Sequence, residues 1–445
     1  MTEPTQDSLW QSTKELAEAD LTAAAARAPE RNRARSHLPD GQPESAAFLN
    51  GQPRPEPDLR FRDPALEPIW RKVQTGERLT RSDGLTLFAS PDLNGLGAMA
   101  DWRKTQLHGD QAYFVFNRQV NPTNLCVLDC KFCDYAHHPL DPKGYAMSID
   151  QVLAKLSPEL REVHIVGGLH HQWRFDYYVD VVRQIRRAFP TIQIKAYTAV
   201  EIDFFAKIAK LSIERVLETL VEAGLDSMPG GGAEVFSERV RAELFPKKIG
   251  AEAWLNVHRV AHRMGIPTNS TLLYGHIETH EERVDHMLRL RELEDEAPGF
   301  LAFIPLAFQT GYSDIVKRGP SAVEDLKTIA AARLLMDNMP HIKSYWVMLG
   351  EDTASVGLNF GASDIDGTIF EEKIAHAALA ESPVGLARER ILQMIREAGK
   401  IPVERDALYN IVDRYPIRAS EPGTATGDIA STGQVTAPGQ VVAGA

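Results

Sequence analysis

Residues 112–138 read AYFVFNRQVNPTNLCVLDCKFCDYAHH and contain the pattern that decides the fold. Residues 112–120 form an apolar and aromatic run of strand length, and a cysteine-rich loop follows them directly. The cysteines are Cys126, Cys130 and Cys133, in the spacing C-x3-C-x2-C, and the chain has no others. In barrels of parallel strands the active site forms at the C-terminal ends of the strands. A cysteine-rich loop directly after a strand is therefore a candidate part of an active site.

Seven further strand-like runs follow the first, and helical runs separate most of them. This alternation predicts an α/β fold with a parallel sheet and helices outside, and eight units in roughly 260 residues are enough to close a TIM-type (β/α)8 barrel. A partial (β/α)6 barrel is the alternative, because the last two runs lie close together. The predicted strands are 112–120, 162–168, 192–198, 224–230, 267–275, 299–308, 343–350 and 355–362.

The regions that flank the barrel differ in character. Two runs with apolar residues at three- and four-residue intervals, 66–79 and 90–107, predict helices before the first strand. Residues 1–58 are mostly polar and Pro-rich, which predicts a disordered or loosely helical extension. Residues 419–445 have low complexity and predict a disordered tail. The barrel domain with its flanking helices is therefore expected over 59–418.

Charge and hydropathy exclude several classes of function. The 445 residues include 49 Lys and Arg against 61 Asp and Glu, a net charge of −12, whereas nucleic-acid binding normally requires a basic face. No window approaches about 18 consecutive apolar residues, so no membrane-spanning helix is expected. Residues 1–20 resemble neither a signal peptide nor a transit peptide. We therefore expect a cytoplasmic protein without a membrane or nucleic-acid partner.

The clustering of the cysteines predicts a metal centre. An odd number of thiols in one short loop is not a disulfide framework and suits a reducing compartment. Zinc is one interpretation, with His137 or His138 as a fourth ligand, because structural zinc usually takes four. An iron–sulfur cubane accounts better for three thiolates. Electron-carrier clusters generally take four cysteines, so a missing fourth leaves one iron open to bind a small molecule.

Glycines follow two of the later predicted strands. Gly167 and Gly168 come after the second strand, where a glycine pair permits either close approach to a ligand or a tight turn. Gly230–Gly232 come after the fourth strand, but no Lys-Ser/Thr follows them as in a P-loop. This loop is expected to give a nucleoside or carboxylate access to backbone N–H groups, with turn geometry as the alternative.

Acidic residues and a histidine follow two other strands. His276 and Glu278 come after the fifth strand and project to the same side. They are candidate catalytic groups, for acid–base chemistry or substrate orientation, and a structural hydrogen bond of the histidine is the alternative. Asp364 and Asp366 come after the eighth strand, and we expect them to cap a helix.

The cysteine spacing, on the loop after the first barrel strand, resembles that of the radical S-adenosylmethionine (SAM) superfamily. The resemblance implies a [4Fe-4S] cluster held by Cys126, Cys130 and Cys133, with SAM chelating the open iron. One electron would then cleave SAM to methionine and a 5′-deoxyadenosyl radical. A one-electron donor such as flavodoxin or ferredoxin is implied as a partner.

The same resemblance implies roles in SAM binding. Phe132 matches an aromatic position that lies against the adenine. Gly167 and Gly168 match the place where backbone meets the methionine amino group, although the Glu that usually follows is absent. Thr198 and Glu201 follow the third strand, where they would hydrogen-bond the ribose hydroxyls. The alternative for Glu201 is an exposed acid in the first turn of a helix.

Eight further runs, in order, are similar to the aminofutalosine synthases of the futalosine route to menaquinone. The similarity implies that the radical adds to the enolpyruvyl ether of 3-hydroxybenzoate, and that aryl migration and decarboxylation then give 6-amino-6-deoxyfutalosine. A hydrogen-abstracting relative (dehypoxanthinyl futalosine cyclase or FO synthase subunit) is the alternative within the enzymes, and a non-catalytic iron–sulfur or zinc module is the alternative outside them. The runs are EVHIVGGLHH, IKAYTAVEID, GLDSMPGGGAE, LLYGHIET, FIPLAF, DLKTIAAARLLMDN, HIKSYWVMLG and FGASDIDGT with EEKI.

Overall fold

The computed structural model describes residues 57–415 and the backbone of two short paired strands before them, β1 (Phe48–Leu49) and β2 (Gln52–Pro53). The predicted tail, 419–445, and nearly all of the predicted extension, 1–58, lie outside the described residues. No helix among the described residues is long and apolar enough to cross a membrane.

Short, mostly buried strands form the inner layer of the fold. The strands from the cysteine-rich segment onward are β3 (Gln111–Val115), β4 (Asn117–Val120), β5 (Glu162–Ile165), β6 (Gln193–Ala196), β7 (Thr268–Tyr274), β8 (Phe300–Ala307), β9 (His341–Ile342), β10 (Asp364–Gly367), β11 (Ile401–Arg405) and β12 (Ile411–Arg414). Strands β4, β5 and β6 pair in parallel, as do β7, β8 and β9, and β10 pairs in parallel with β3.

Helices surround these strands, and several begin at a Ser or Thr cap. They are α1 (Leu66–Thr75), α2 (Arg81–Ala89), α3 (Leu93–His108), α4 (Ile149–Leu153), α5 (Phe175–Ala188), α6 (Ala199–Ala209), α7 (Ile213–Ala223), α8 (Glu238–Leu244), α9 (Ala251–Arg263), α10 (His280–Glu296), α11 (Ala322–Leu335), α12 (Trp346–Leu349), α13 (Glu351–Gly357), α14 (Ile374–Ala377) and α15 (Arg388–Glu397). Capping boxes at Thr198 and Thr279 start α6 and α10 by satisfying amide groups that have no partner inside the helix.

Single bridges connect the parallel ladders one after another. Lys195 bridges to Ser227, and Met228 bridges to Thr268, so residues 227–228 stand between β6 and β7 as a minimal fourth strand. Lys343 bridges to Asp364 and joins β9 to β10. The amide of Gln119 donates to the carbonyl of Ile369 at 2.7 Å, which joins the end of β10 to β4. Eight parallel segments thus follow one another, and the predicted TIM-type arrangement is confirmed.

The positions predicted for the last two barrel strands were wrong. The seventh strand, β9, ends before 343–350, of which Lys343 forms only a single bridge, and Trp346–Leu349 forms α12. Part of 355–362 belongs to α13, and the eighth strand is β10 instead. A short buried apolar run has the same appearance in a helix and in a strand, so periodicity could not separate them.

A C-terminal hairpin extends the sheet beside the barrel. Strand β11 pairs in parallel with β3 and antiparallel with β12, an addition that the sequence analysis did not place. The predicted N-terminal helices are present as α1 and α3, with α2 between them. Their apolar side chains, including Trp70, Leu87 and Met99, belong to the same buried core as the barrel strands.

Candidate active site

A cavity of about 310 Å³ opens among the loops that follow the barrel strands. It therefore lies at the C-terminal ends of the strands, where parallel barrels place their active sites. Every residue predicted to bind metal or cofactor lines it: Cys126, Cys130, Phe132, Cys133, Gly167, Gly168, Thr198 and Glu201. The structure thus brings together side chains from three separate loops.

Backbone hydrogen bonds fix the cysteine loop. The amide of Cys126 donates to the carbonyl of His137 at 3.2 Å, and the amide of Cys133 donates to the carbonyl of Cys130 at 3.1 Å. The Tyr135 hydroxyl donates to the Thr123 carbonyl at 2.9 Å. These bonds hold the three cysteines, all of them free thiols and all partly buried, on one wall of the cavity.

Cysteine binds a metal as the thiolate and not as the thiol. Burial raises the pKa of Cys133 to about 11 and also raises the pKa of Cys130. A coordinated metal deprotonates a thiol outright. Among residues 57–415, no three His, Cys, Asp or Glu side chains form a ready site for one metal ion. The His137 ring, one candidate fourth zinc ligand, instead contacts the Asp141 carboxylate at 2.8 Å.

The glycine pair after β5 is pressed against the cysteine loop. The Gly168 amide donates to the Thr123 carbonyl at 2.8 Å, and the Val127 amide donates to the Leu169 carbonyl at 3.0 Å. A Cβ on Gly168 would lie 2.3 Å from the Leu125 carbonyl oxygen. Only glycine permits this approach, so Gly168 positions the loop as well as lining the cavity.

Glu201 joins the loops after β5 and β6. Its carboxylate accepts from the Gly167 amide at 3.2 Å, and from the Thr198 amide and hydroxyl at 2.7 and 2.8 Å. The alternative of an exposed acid is wrong about exposure, because Glu201 lies in the first turn of α6 but is 5% exposed and caps the helix from inside the protein. Burial raises the pKa of Glu201 to about 7 despite these hydrogen bonds. The side chain is therefore a helix cap and a wall of the cavity.

The loop of Gly230–Gly232 also lines the cavity. A Cβ on Gly230 would lie 2.5 Å from the Asn269 carbonyl oxygen, and Gly232 has a φ of +86°. Close packing and a left-handed backbone conformation therefore require two of the three glycines. The amides of this loop donate to no other described residue, which leaves N–H groups for a ligand.

His276 and Glu278 are placed outside the cavity lining. The Glu278 carboxylate accepts from the amides of Gly275 and His276 at 2.6 and 2.9 Å and from Arg283 at 2.7 Å. The His276 ring contacts the Leu273 carbonyl at 3.1 Å. Burial opposes ionisation, but hydrogen bonds and charge from His276 and Arg283 lower the pKa of Glu278 to about 2. The geometry favours a structural role, and the catalytic role stays a prediction.

The prediction that the two aspartates of FGASDIDGT cap a helix was wrong. Asp364 and Asp366 lie on β10 itself and are buried in ion pairs. Lys343 donates to Asp366 at 2.7 Å, and Arg405 donates to Asp364. A buried carboxylate needs a cation beside it, so this part of the sheet carries charges that its sequence pattern did not reveal. Asp366 also lines the cavity.

Sequence analysis missed other cavity residues because no motif marks them. His164 and Asn269 each have a buried polar atom, Nε2 and Oδ1, without a hydrogen-bond partner among the described residues. Buried polar atoms are rarely left unpaired, so these two indicate a polar ligand. Lys248 and Glu234 form a buried ion pair on the cavity wall. No sequence pattern marks Lys248, which lies in a loop after α8.

Together these residues fit an iron–sulfur cluster and SAM. The wall with three free thiols offers the ligands of a cluster that keeps one iron open. Polar contacts to a ligand beside the cluster are offered by the glycine loops, by the carboxylate of Glu201 and by the unpaired atoms of His164 and Asn269. Apolar side chains close the remaining walls, namely Leu128, Val166, Ile304, Leu306, Phe308 and Met348.

Comparison with protein families gives two matches in succession. Residues 120–290 match the radical SAM superfamily, and residues 297–416 match the CofH/MqnC C-terminal region. The first match contains the cysteine loop, four of the eight barrel segments (β5, β6, 227–228 and β7) and most of helix α10. The second contains β8 to the C-terminal hairpin.

Individual relatives align over most of the chain. An aminodeoxyfutalosine synthase from Thermus thermophilus is 47% identical over 361 residues, covering 79% of this chain and 97% of the relative. An aminodeoxyfutalosine synthase from Streptomyces coelicolor is 42% identical, with 79% and 96% covered. A cyclic dehypoxanthine futalosine synthase from Halalkalibacterium halodurans is 34% identical, with 79% and 96% covered.

Solved structures share the fold at low sequence identity. Methylornithine synthase (PylB) has a TM-score of 0.59 at 16% identity, with 75% of this chain and 97% of that chain covered. The FeFe-hydrogenase maturase HydG from Carboxydothermus hydrogenoformans has a TM-score of 0.60 at 14% identity, with 77% and 80% covered. At such identities the likeness supports the barrel architecture alone.

Proposed function

The chain belongs to the aminodeoxyfutalosine synthase family of the radical SAM superfamily, and on that basis we propose how its residues make 6-amino-6-deoxyfutalosine. The enzyme acts in the futalosine route to menaquinone. The observation that carries the proposal is the placement of three free thiols, a glycine pair and a buried carboxylate around one cavity. SAM is a co-substrate, because its adenosyl group enters the product.

The cofactors are a [4Fe-4S] cluster and SAM, as in the superfamily. Bound together and given one electron, they supply methionine and a 5′-deoxyadenosyl radical. We propose that Cys126, Cys130 and Cys133 ligate the cluster. Support comes from their common wall and from the backbone bonds that fix their loop.

SAM binding is proposed for five cavity residues. Phe132 would lie against the adenine, and Gly167 and Gly168 would meet the methionine amino group through backbone atoms. Thr198 and Glu201 would bind the ribose hydroxyls. Each lines the cavity, and Glu201 is already held at the Gly167 amide, so one carboxylate would organise both loops.

The proposed substrate is the enolpyruvyl ether of 3-hydroxybenzoate. Its aromatic ring suits the apolar walls, which also keep water away from a reactive carbon radical. Its two carboxylates need donors, and the amides of Gly230–Gly232 offer them at the cavity wall. The protein would thus orient the substrate while the cofactor supplies the chemistry.

Product analysis tests this proposal. The chain is reconstituted anaerobically with iron and sulfide and then mixed with SAM, dithionite and the enolpyruvyl ether. Mass spectrometry should detect 6-amino-6-deoxyfutalosine. Free 5′-deoxyadenosine without that product would indicate a hydrogen-abstracting enzyme instead. The cyclase alternative is less favoured, because its relative is 34% identical against 47%.

The electron source and the compartment are also proposed. A one-electron protein donor such as flavodoxin or ferredoxin would replace dithionite, and the cytoplasm would keep the three free thiols reduced. Reduced flavodoxin or ferredoxin should sustain turnover in place of dithionite. Failure of both proteins, with dithionite still active, would reject this class of donor.

A further inference from the structure

A buried ammonium group stands beside the cysteine loop. The Lys248 side chain is 9% exposed, and its Nζ lies 5.1 Å from the ring centroid of Phe132 and 5.4 Å from that of Phe245. The two rings pack edge to face, with centroids 5.8 Å apart. Phe132 stands between Cys130 and Cys133 in the sequence, and Lys248 lines the same cavity as all three cysteines.

Glu234 is the single carboxylate that pairs with Lys248 among the described residues. Its side chain is 12% exposed, and its backbone has a φ of +50°, an uncommon conformation for a residue other than glycine. Burial disfavours the charged form of Lys248, but Glu234 and the neighbouring thiols outweigh it and raise the pKa of Lys248. The pair therefore places two opposite charges in the lining of the cavity that also holds the thiols.

Burying such a pair is costly, so fold stability alone is a weak reason for its presence. Desolvation of two charges often cancels their attraction, and a well-packed apolar pair can replace them without loss. The rings of Phe132 and Phe245 already offer an apolar environment at this position. The charge itself is then the property to explain, and the thiols are the neighbouring groups that become anionic on binding iron.

We propose that Lys248, opposed by Glu234, sets the reduction potential of the iron–sulfur cluster. Reduction takes one electron from the donor and changes [4Fe-4S]²⁺ to [4Fe-4S]⁺ without breaking a bond. That electron adds negative charge to a site that already carries three thiolates. A nearby buried cation favours the reduced cluster and raises its potential, and a nearby carboxylate has the opposite effect, because net charge is one determinant of cluster potential. The inference rests on the cluster assignment and not on the substrate.

A potentiometric titration of the reconstituted full-length chain, followed by electron paramagnetic resonance without SAM, tests the inference. Lys248→Met should lower the midpoint potential, because the cation is lost while Glu234 remains. Glu234→Gln should raise the potential, because the cation is then unopposed. The double variant should lie between the two single variants, and Lys248→Arg should stay near the wild type. Opposite signs are the signature that a merely structural role would not produce.

Iron and sulfide content and the unfolding temperature are measured for every variant. If Lys248→Met does not hold a cluster, Glu234→Gln and Lys248→Arg still decide the sign. Unchanged midpoint potentials across the series would overturn the inference. A Lys248→Met variant that loses SAM affinity but keeps the wild-type potential would also overturn it, because Lys248 would then be a ligand of the SAM carboxylate. Failure of the wild type to bind any cluster would instead reject the proposed function.

Discussion

Gly168 lies so close to Leu125 that a Cβ at position 168 would stand 2.3 Å from the Leu125 carbonyl oxygen. The contact joins the loop after β5 to the loop that carries the cysteines. Because the obstructing atom belongs to the backbone, a side-chain rotation cannot relieve the clash. The second glycine of the sequence motif is therefore required by the packing of two functional loops, apart from any contact with a ligand.

Gly168→Ala should displace the cysteine loop. Overpacking of this kind costs about 1–3 kcal/mol, and we expect the upper part of that range together with a loss of bound iron. Gly231→Ala is the matched control, because the nearest atom to its added Cβ is a Thr198 methyl group at 3.2 Å. Iron content and thermal unfolding of the two variants would show the difference. Equal iron content in both would contradict the packing argument.

Each of Cys126→Ala, Cys130→Ala and Cys133→Ala should abolish the cluster. Two thiolates cannot hold a cubane that already lacks a fourth protein ligand. Iron content and the visible absorption of the reconstituted chain measure the loss. Val127→Ala, at a half-exposed position of the same loop, should keep its cluster. A cluster that survives removal of one cysteine would place a ligand elsewhere.

Glu201 should make folding stability depend on pH. Its pKa rises from an ordinary 4.5 to about 7, so the folded state prefers the protonated form. The stability from this group is complete below about pH 4.5 and is lost as pH rises through about 7, by about 3 kcal/mol in all. Glu201→Gln should remove this loss, and the difference in unfolding free energy from the wild type should therefore change between pH 5 and 8. Asp203→Asn, a near-surface acid paired with Lys207 on the same helix, should keep the wild-type dependence.

Glu278→Gln should destabilise the fold at neutral pH by about 3 kcal/mol, because it leaves buried donors without their carboxylate. The pKa of Glu278 is lowered from 4.5 to about 2, so this stability is present above about pH 4.5 and is lost as pH falls through about 2. Urea unfolding measures the loss, and Glu281→Gln, at an exposed position on α10, should have a much smaller effect. A structural role predicts normal activity per folded molecule. A stable but inactive variant would restore the catalytic role predicted from sequence.

The sequence predicted the barrel because its longer elements carry strong period signals. Helices α1 and α3 and strands β7 and β8 lie where alternation and apolar spacing placed them. The prediction of the seventh strand failed because WVML, a mostly buried apolar run, forms a turn of helix, and that of the eighth failed because part of 355–362 belongs to α13. No local pattern could show that β10 carries Asp364 and Asp366. The cations that permit their burial are distant in sequence, because Lys343 lies 23 positions before Asp366 and Arg405 lies 41 positions after Asp364.

The residues of the site also divide into those that the sequence predicted and those that it did not. The cysteines, the glycine pair, Thr198 and Glu201 follow strands directly, and topology alone brings them to one cavity. Lys248 reaches the cavity from a loop after α8, and only tertiary packing places it there. Burial decides the rest, because it makes Glu201 a cap with a raised pKa and shuts Glu278 away from the cavity.

The fate of the adenosyl group tests the central claim most directly. SAM labelled with ¹³C in its ribose would be incubated with the reconstituted enzyme, dithionite and the enolpyruvyl ether, and the label would be followed by mass spectrometry. We predict that the label appears in 6-amino-6-deoxyfutalosine in proportion to the methionine released. Label recovered as 5′-deoxyadenosine, with the substrate otherwise rearranged, would contradict radical addition and assign hydrogen abstraction instead.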